Sequence, residues 1–128
     1  MLLLDTHAWL WWSAAPARLS KRARRAIDSA ESLAVSAISV WELATLVRKG
    51  RLELDRPVSE WILAALAQPG IEEIPVSSSI ALLAGSFGDE FHGDPADRLI
   101  AATGLVHRAP LVTKDEALRA MPTLQPIW

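Results

Sequence analysis

The sequence predicts an α/β fold with a parallel sheet, in which short apolar strands alternate with helices. Runs of apolar residues without polar alternation are typical of strands that are buried on both faces, as in a parallel sheet. Segments of helical periodicity separate these runs from one end of the chain to the other. The chain has 128 residues, enough for one hydrophobic core, so we expect a single domain over residues 1–128.

Five segments are candidate strands. Residues 2–4, 33–35 and 110–112 are short and apolar, as expected of central parallel strands. Residues 71–76 form a fourth candidate. Residues 124–128 contain Pro126, which has no N–H group for the ladder, so a strand here is expected at an edge of the sheet.

Helical periodicity or helix-end signals define four further segments, which are 20–32, 39–49, 58–68 and 95–107. In the first of these, alanines and an isoleucine share one face and basic residues occupy the other. Gly50 is placed as the C′ residue of the second, and Pro95 as the first residue of the last. More helices than strands leave room for a small helical lobe, and right-handed crossovers then give a parallel sheet.

The composition excludes several classes of protein. Cysteine is absent, which excludes thiol catalysis, cysteine-bound zinc and iron–sulfur centres. The N-terminus lacks the features of a signal peptide, and the longest charge-free stretch, 74–88, is too short and too interrupted to span a membrane. We therefore expect a cytoplasmic protein with no membrane contact. The net charge is −2, so a nucleic-acid partner would need a local basic patch.

Acidic residues follow the predicted strands or begin the predicted helices. Asp5 follows the first strand, Glu42 lies early in the helix after the second, and Asp115 follows the strand at 110–112. Asp94 and Asp97 begin the helix before that strand. Because the carboxyl ends of parallel strands meet at one edge of a sheet, we expect these acids to converge there.

Helix capping is the alternative explanation for most of these acids. Ser39 and Glu42 fit a capping box, and so do Thr113 and Glu116. Asp94 before Pro95 is a candidate N-cap. Taken one at a time, the acids are explained by capping, whereas their joint placement favours a site.

Convergent carboxylates predict a cation site. Two carboxylates about 4 Å apart repel by roughly 4 kcal/mol at an effective dielectric constant of 20, and a divalent cation removes this conflict. Oxygen-only ligands suit Mg²⁺ or Mn²⁺. We expect Asp5, Asp97 and Asp115 to bind the metal, Glu42 to position water or accept its proton, and Thr113 to support them. No phosphate-binding loop, dinucleotide fingerprint or serine nucleophile elbow is present, which leaves metal-dependent phosphodiester hydrolysis.

Two groups of basic residues are candidates for contact with a nucleic-acid backbone, although basic side chains on the polar face of an amphipathic helix usually serve only solubility. They are Arg18, Lys21, Arg22, Arg24 and Arg25 in the first group, and Arg48, Lys49, Arg51 and Arg56 in the second. His7 and His92 lie near the acids and are candidates for substrate contact, with local hydrogen bonding as the alternative. His107, at a predicted helix C-terminus, is expected to complement the helix dipole.

Four segments together resemble the motifs of PIN-domain ribonucleases, and above all the VapC-type toxins of bacterial toxin–antitoxin pairs. They are Leu3-Leu4-Asp5-Thr6-His7, Ser39-Val40-Trp41-Glu42-Leu43, the segment from Asp94 to Thr103, and Leu111-Val112-Thr113-Lys114-Asp115. The resemblance covers nearly the whole chain and implies a three-layer α/β/α fold around a central parallel sheet. It also implies Mg²⁺- or Mn²⁺-dependent cleavage of single-stranded RNA, a small antitoxin as partner, and a homodimer.

Carried onto this sequence, the resemblance gives Asp5, Glu42, Asp97 and Asp115 as the acidic set. Asp94 matches an additional acid of the subgroup with the pattern His92-Gly93-Asp94-Pro95-Ala96-Asp97-Arg98. Whether Asp94 binds metal or only caps its helix and supports Asp97 stays open at this point.

Trp9, Trp11 and Trp12 crowd one predicted helix. Positions at this spacing do not all face one core, so at least one indole is expected at a surface or interface, unless a thick helical lobe buries all three.

Two alternatives to a nuclease belong to other functional classes. One is a phosphorelay receiver domain, although no aspartate lies between residues 56 and 88, where its phosphorylated residue would fall. The other is a non-catalytic interaction module whose acids only cap helices.

Overall fold

The computed structural model describes residues 1–91 and 94–128. Five strands form one sheet: β1 (Leu2–Leu4), β2 (Leu33–Ser36), β3 (Ile71–Ile74), β4 (Leu111–Val112) and β5 (Pro126–Ile127). The helices are α1 (Thr6–Ala14), α2 (Lys21–Ser29), α3 (Ala37–Arg48), α4 (Val58–Leu66), α5 (Ser78–Ser86), α6 (Pro95–His107) and α7 (Glu116–Arg119). Short 3-10 helices cover Pro16–Arg18 and Pro122–Leu124.

The sheet has the strand order β3-β2-β1-β4-β5, and every neighbouring pair is parallel. The chain builds outward from β1 to β3 and then returns to place β4 on the other side of β1. The strand order therefore reverses between β1 and β4, where open α/β sheets bind their ligands. Receiver-like folds have the order 2-1-3-4-5, so the receiver alternative is wrong.

Helices cover both faces of the sheet, because successive residues of each strand point to opposite sides. Leu2 and Leu4 pack into a core layer with helices α1, α2 and α4, whereas Leu3 packs into a second layer with α5 and α6. Trp9 and Ile100 are among the fully buried side chains of the two layers. The expected three-layer α/β/α architecture is confirmed, and α3 and α4 follow one another without a strand between them.

Most helix ends lie where local signals place them. Gly50 directly follows the C-cap of α3 with φ of 71°, and Pro95 is the first residue of α6. The start of α3 differs from the prediction: its N-cap is Ser36, whose side chain accepts a hydrogen bond from the Ile38 amide at 3.2 Å. Ser39 is therefore inside the helix, and α3 begins two residues earlier than predicted.

The strand and helix boundaries show smaller differences. Helix α2 ends at Ser29 rather than at residue 32, and β3 ends at Ile74 rather than at residue 76. The β5 strand pairs with β4 alone and lies at an edge of the sheet, as Pro126 predicts. Within the described ranges, no helix is long and apolar enough to cross a membrane.

Three tryptophans of α1 differ in burial. Trp9 is fully buried and lies edge-on to Trp61, with ring centroids 5.6 Å apart. Trp11 is also buried, and Trp12 is half-buried against the core. Trp41 on α3 is the exposed indole, at 59% of its accessible surface. The sequence predicts at least one surface indole in α1, and the half-buried Trp12 fulfils this prediction only in part.

Candidate functional site

Asp5 lies at the centre of the site, directly after β1. It is buried, with 6% of its surface exposed, and it is the N-cap of α1. Its Oδ1 accepts a hydrogen bond from the Ala8 amide at 3.1 Å, and its Oδ2 accepts one from Thr113 Oγ1 at 2.5 Å. The Asp5 amide donates to the Val112 carbonyl, continuing the β1–β4 ladder. Sheet pairing therefore fixes this carboxylate beside the end of β4.

Thr113 links Asp5 to a second acid. Its hydroxyl oxygen accepts a hydrogen bond from the Asp115 amide at 3.0 Å while its proton goes to Asp5. Asp115 is the N-cap of α7, and its Oδ1 accepts from the Leu118 amide at 3.0 Å. The predicted capping box from Thr113 to Glu116 is therefore wrong, because the helix begins two residues later and is capped by Asp115.

Glu42 is held by a side chain that is distant in sequence. Thr6 Oγ1 donates to Glu42 Oε1 at 2.5 Å, and the same hydroxyl lies 2.8 Å from Ser39 Oγ. Glu42 does not cap α3, whose N-cap is Ser36, so the capping box predicted for Ser39 and Glu42 is wrong. The contact places the Glu42 carboxylate next to the start of α1.

Asp94 and Asp97 occupy the first turn of α6. Asp94 is exposed and is the N-cap, and its Oδ1 accepts a hydrogen bond from the Asp97 amide at 2.8 Å. The predicted N-cap is therefore confirmed for Asp94. Asp97 follows within the same turn, at the position predicted for it, and is partly buried. His92, a candidate for substrate contact, lies outside the described residues.

The five acids interact electrostatically. Burial and, after it, the charges of Asp94, Asp115 and Glu42 together raise the pKa of Asp97 to about 7, against a backbone hydrogen bond that lowers it. Burial also raises the pKa of Glu42, and the charges of Asp94 and Asp5 add to it. Burial is the main cause of the raised pKa of Asp5, opposed chiefly by the Thr113 hydrogen bond. The chain thus gathers negative charge where burial and repulsion make it costly.

The chemistry of this donor set fits a divalent cation. All the side chains concerned offer oxygen, from carboxylates and from the Thr113 hydroxyl, as Mg²⁺ and Mn²⁺ prefer. Neighbouring charge raises the pKa of Asp97 and Glu42, and a cation would relieve that repulsion. In residues 1–91 and 94–128, however, no three acidic or histidine side chains are already arranged to hold an ion. The Asp5 and Asp115 carboxylates, which follow strands of the sheet, accept hydrogen bonds from hydroxyl and amide donors instead.

Arg98 connects the first turns of α6 to the end of α5 and the segment that follows it. Its guanidinium donates to the carbonyls of Phe87, Gly88 and Phe91 at 2.8, 3.2 and 3.3 Å, and to that of Ala84 at 3.5 Å. It also lies 5.6 Å from the centroid of the Phe91 ring. One side chain therefore ties the end of α5 and the segment after it to the first turns of α6.

Sequence reasoning assigned no role to Thr6 or Arg98. Thr6 follows a candidate acid, but nothing local indicates that its partner is Glu42, 36 positions away. An arginine in the first turns of a helix also has an unfavourable interaction with the positive end of the helix dipole. That charge, and the place of Arg98 in the family pattern from His92 to Arg98, are the signals in the sequence that this side chain has a structural role.

A cleft of about 550 Å³ opens beside Asp5 and Asp115. Arg18 and Arg51, one from each predicted basic group, line it, and so does His7. The basic residues of α2, by contrast, lie exposed on the helix surface. His107 lies in the last turn of α6, as expected for a residue that complements the helix dipole.

Comparison with known proteins agrees with this geometry. The family model described as PIN domain matches residues 2–124. The chain is 45% identical to Ribonuclease VapC22 of Mycobacterium tuberculosis over 126 residues, covering 98% of this chain and 95% of that protein.

Two solved structures have a similar fold. One, titled as VapBC2 from Rickettsia felis bound to a DNA fragment from their promoter, has a TM-score of 0.72 at 18% identity over 98% of this chain and 97% of the other. FitAcB from Neisseria gonorrhoeae has a TM-score of 0.61 at 26% identity, over 92% and 90%. With the fold, the placement of the acids and these likenesses taken together, the chain belongs to the PIN-domain family and to its VapC-type members.

Proposed function

We propose that this protein is a Mg²⁺- or Mn²⁺-dependent endoribonuclease that cleaves single-stranded RNA and serves as the toxin of a toxin–antitoxin pair. The observation that carries the proposal is the electrostatic coupling of five acids beside the reversal of strand order between β1 and β4. A related chain at 45% identity is named a ribonuclease, which supports RNA as the substrate.

Asp5, Asp97 and Asp115 are the side chains we assign to the metal. A divalent cation bound there would polarise the phosphodiester and stabilise the leaving alkoxide. Glu42 is the assigned proton acceptor, since its carboxylate is partly accessible and oriented by Thr6. Water forms the new bond to phosphorus, Glu42 takes its proton, and the bridging P–O bond breaks.

Thr113 and Asp94 are positioning residues in this account. Thr113 fixes the orientation of Asp5 and the start of the turn that carries Asp115. Asp94 accepts the Asp97 amide and raises the pKa of Asp97 through its charge. It therefore caps α6 and supports Asp97, which is the simpler of its two predicted roles.

Calorimetric titration with Mn²⁺ tests the assignment of the metal. Wild-type protein is expected to give a saturable site that Asp5→Asn and Asp97→Asn weaken at least tenfold. Glu116→Gln is the matched control, because Glu116 is an exposed acid next to Asp115. Equal binding by all four proteins would refute the assignment.

We also propose a small antitoxin partner, a homodimer and a single cooperative unit over residues 1–128. Solved structures of similar fold are titled as a toxin–antitoxin complex from Klebsiella pneumoniae and as VapBC2. Trp41, at 59% exposed, is a candidate contact residue for an interface. Light scattering of the isolated chain tests the dimer, and a monomer at micromolar concentration would contradict it.

A further inference from the structure

The cleft beside Asp5 and Asp115 is lined by three basic side chains. Arg18, Arg51 and Lys114 line it together with Asp5 and Asp115, and the remaining lining residues are His7, Trp11 and three leucines. Of these side chains, Lys114 directly precedes Asp115 and is exposed. Three cations therefore lie within one cleft of a chain whose net charge is −2.

None of these cations forms an ion pair within residues 1–91 and 94–128. Among the described residues, the single ion pair joins Arg56 to Asp55 at the surface. In that part of the chain, Arg18, Arg51 and Lys114 thus have no carboxylate oxygen within 4.0 Å. Exposed cations without acidic partners, gathered at a concave surface, are suited to bind anions.

Trp11 orders two of the three cations. The Arg18 guanidinium carbon lies 4.7 Å from the centroid of the Trp11 ring, and Lys114 Nζ lies 5.9 Å from it. The indole itself is 8% exposed and packs against Trp128 at 5.7 Å. A buried ring therefore positions both charges at the cleft and lowers the conformational entropy that they would lose on binding a ligand.

Apart from His7, the rest of the cleft lining is apolar. Leu10, Leu46 and Leu52 line it together with Trp11. Its volume of about 550 Å³ lies within the usual range for a small-molecule site. An occupant with an anionic group and a flat apolar group would match both parts.

We propose that this cleft binds the nucleotide next to the scissile phosphate. Arg18, Arg51 and Lys114 contact its phosphate, and the leucines contact its base. The inference rests on the proposed function, because it takes Asp5 and Asp115 as the place of cleavage. It adds a substrate subsite that the acids alone do not provide.

A neighbouring cleft of about 500 Å³ is a poorer match for a phosphate. It shares Leu10, Trp11, Arg18 and Leu52 with the first cleft, but Glu53 and Asp55 also line it. Arg56 also lines it but is paired with Asp55, so two acids match two cations there, whereas the first cleft has three cations against two acids. The charge distribution therefore favours the cleft that contains Arg51 and Lys114.

Binding of a 2′-O-methyl oligoribonucleotide in EDTA, followed by fluorescence anisotropy, tests the subsite without any need for cleavage. The variant Arg18→Gln/Arg51→Gln/Lys114→Gln is expected to bind at least tenfold more weakly than wild type. The slope of log K against log salt should fall by about 0.7 if the contact with one phosphate is lost. The control Arg22→Gln/Arg24→Gln/Arg25→Gln removes the same charge from the exposed face of α2 and should change binding less than threefold.

Equal loss in the two triple variants would reduce the effect to net charge and overturn the subsite. Unchanged binding by the cleft variant would also overturn it and leave the cleft to a protein partner. The single variant Arg51→Gln, which is exposed, guards against misfolding and should weaken binding about threefold. RNA binding that depends on the cleft, in a protein that never cleaves RNA, would support the subsite and refute the proposed function separately.

Discussion

Thr113 Oγ1 donates a hydrogen bond to Asp5 Oδ2 at 2.5 Å, joining two buried residues that are 108 positions apart in the chain. The bond crosses from the end of β4 to the end of β1, where the order of strands reverses. Thr113 also accepts the Asp115 amide. One hydroxyl therefore sets the positions of two candidate metal ligands.

Replacing Thr113 with valine is expected to destabilise the protein by about 1–3 kcal/mol, because it leaves Oδ2 of the buried Asp5 carboxylate without its donor. RNA cleavage should fall at least tenfold, since Asp5 loses its fixed orientation. Thr113→Ser keeps the hydroxyl and should retain most of both properties. Urea unfolding and an RNA cleavage assay measure the two effects, and equal behaviour of the valine and serine variants would contradict this role.

Thr6→Val is expected to change the pH dependence of cleavage. The Thr6 hydrogen bond lowers the pKa of Glu42, which burial raises overall. Without the bond, the pKa of Glu42 rises further. As the pH is lowered, the Glu42 carboxylate therefore becomes protonated at a higher pH than in wild type. The acidic limb of the pH–rate profile should therefore move to higher pH, whereas Thr6→Ser should leave it in place. An unshifted limb in Thr6→Val would rule out Glu42 as the group that titrates.

Asp97→Asn is expected to stabilise the metal-free protein above neutral pH. The pKa of Asp97 is about 7 in the folded protein, against 3.8 as its ordinary value. Between these values the native state binds more protons than the unfolded chain, so stability falls as the pH rises. A shift of this size corresponds to about 4 kcal/mol in a dry site, and we expect about 1–2 kcal/mol because Asp97 is partly exposed.

Melting curves in EDTA measure this effect. At pH 8 the Asp97→Asn variant should melt roughly 3–8 °C above wild type, and near pH 4 the difference should vanish. Mn²⁺ should reverse the order at pH 8, since wild type binds the ion more tightly than the variant and is stabilised more by it. A variant that is less stable than wild type at pH 8 in EDTA would mean that Asp97 carries no electrostatic strain.

Arg98→Ala is expected to cost about 2–3 kcal/mol of unfolding free energy, because a charged donor to several carbonyls is lost. Arg98→Lys should recover only part of it, since a single ammonium group cannot match the fork of the guanidinium. Chymotrypsin should also cut faster at Phe87 and Phe91. Arg119→Ala, at an exposed arginine, is the control, and equal stability of the two alanine variants would contradict the account.

Much of the fold is predictable because its causes are local. Three apolar runs predict the central strands, and Pro126 predicts the edge strand. Pro95 and Asp94 together predict the start of α6. The start of α3 was missed because Ser36 and Ser39 are both good N-cap residues, and the pairing of β2 with its neighbours decides which of them ends the strand.

The candidate site is predictable only in part. The acids are indicated by their places after strands or near the starts of helices, because both positions lie at the same edge of a parallel sheet. Their partners depend on contacts between distant segments: Thr6 with Glu42, Thr113 with Asp5 and Arg98 with the carbonyls after α5. Nothing in the local sequence specifies these contacts, so the network around the acids had to come from the structure.

The central claim is that the coupled acids form a metal-dependent ribonuclease site. The most direct test is incubation of antitoxin-free protein with a mixed-sequence single-stranded RNA in Mn²⁺ or Mg²⁺, with EDTA and Asp97→Asn as controls. The account predicts internal cleavage that requires the metal and that the variant loses at least a hundredfold. Absence of cleavage together with absence of Mn²⁺ binding by calorimetry would contradict it and leave the acids as helix caps.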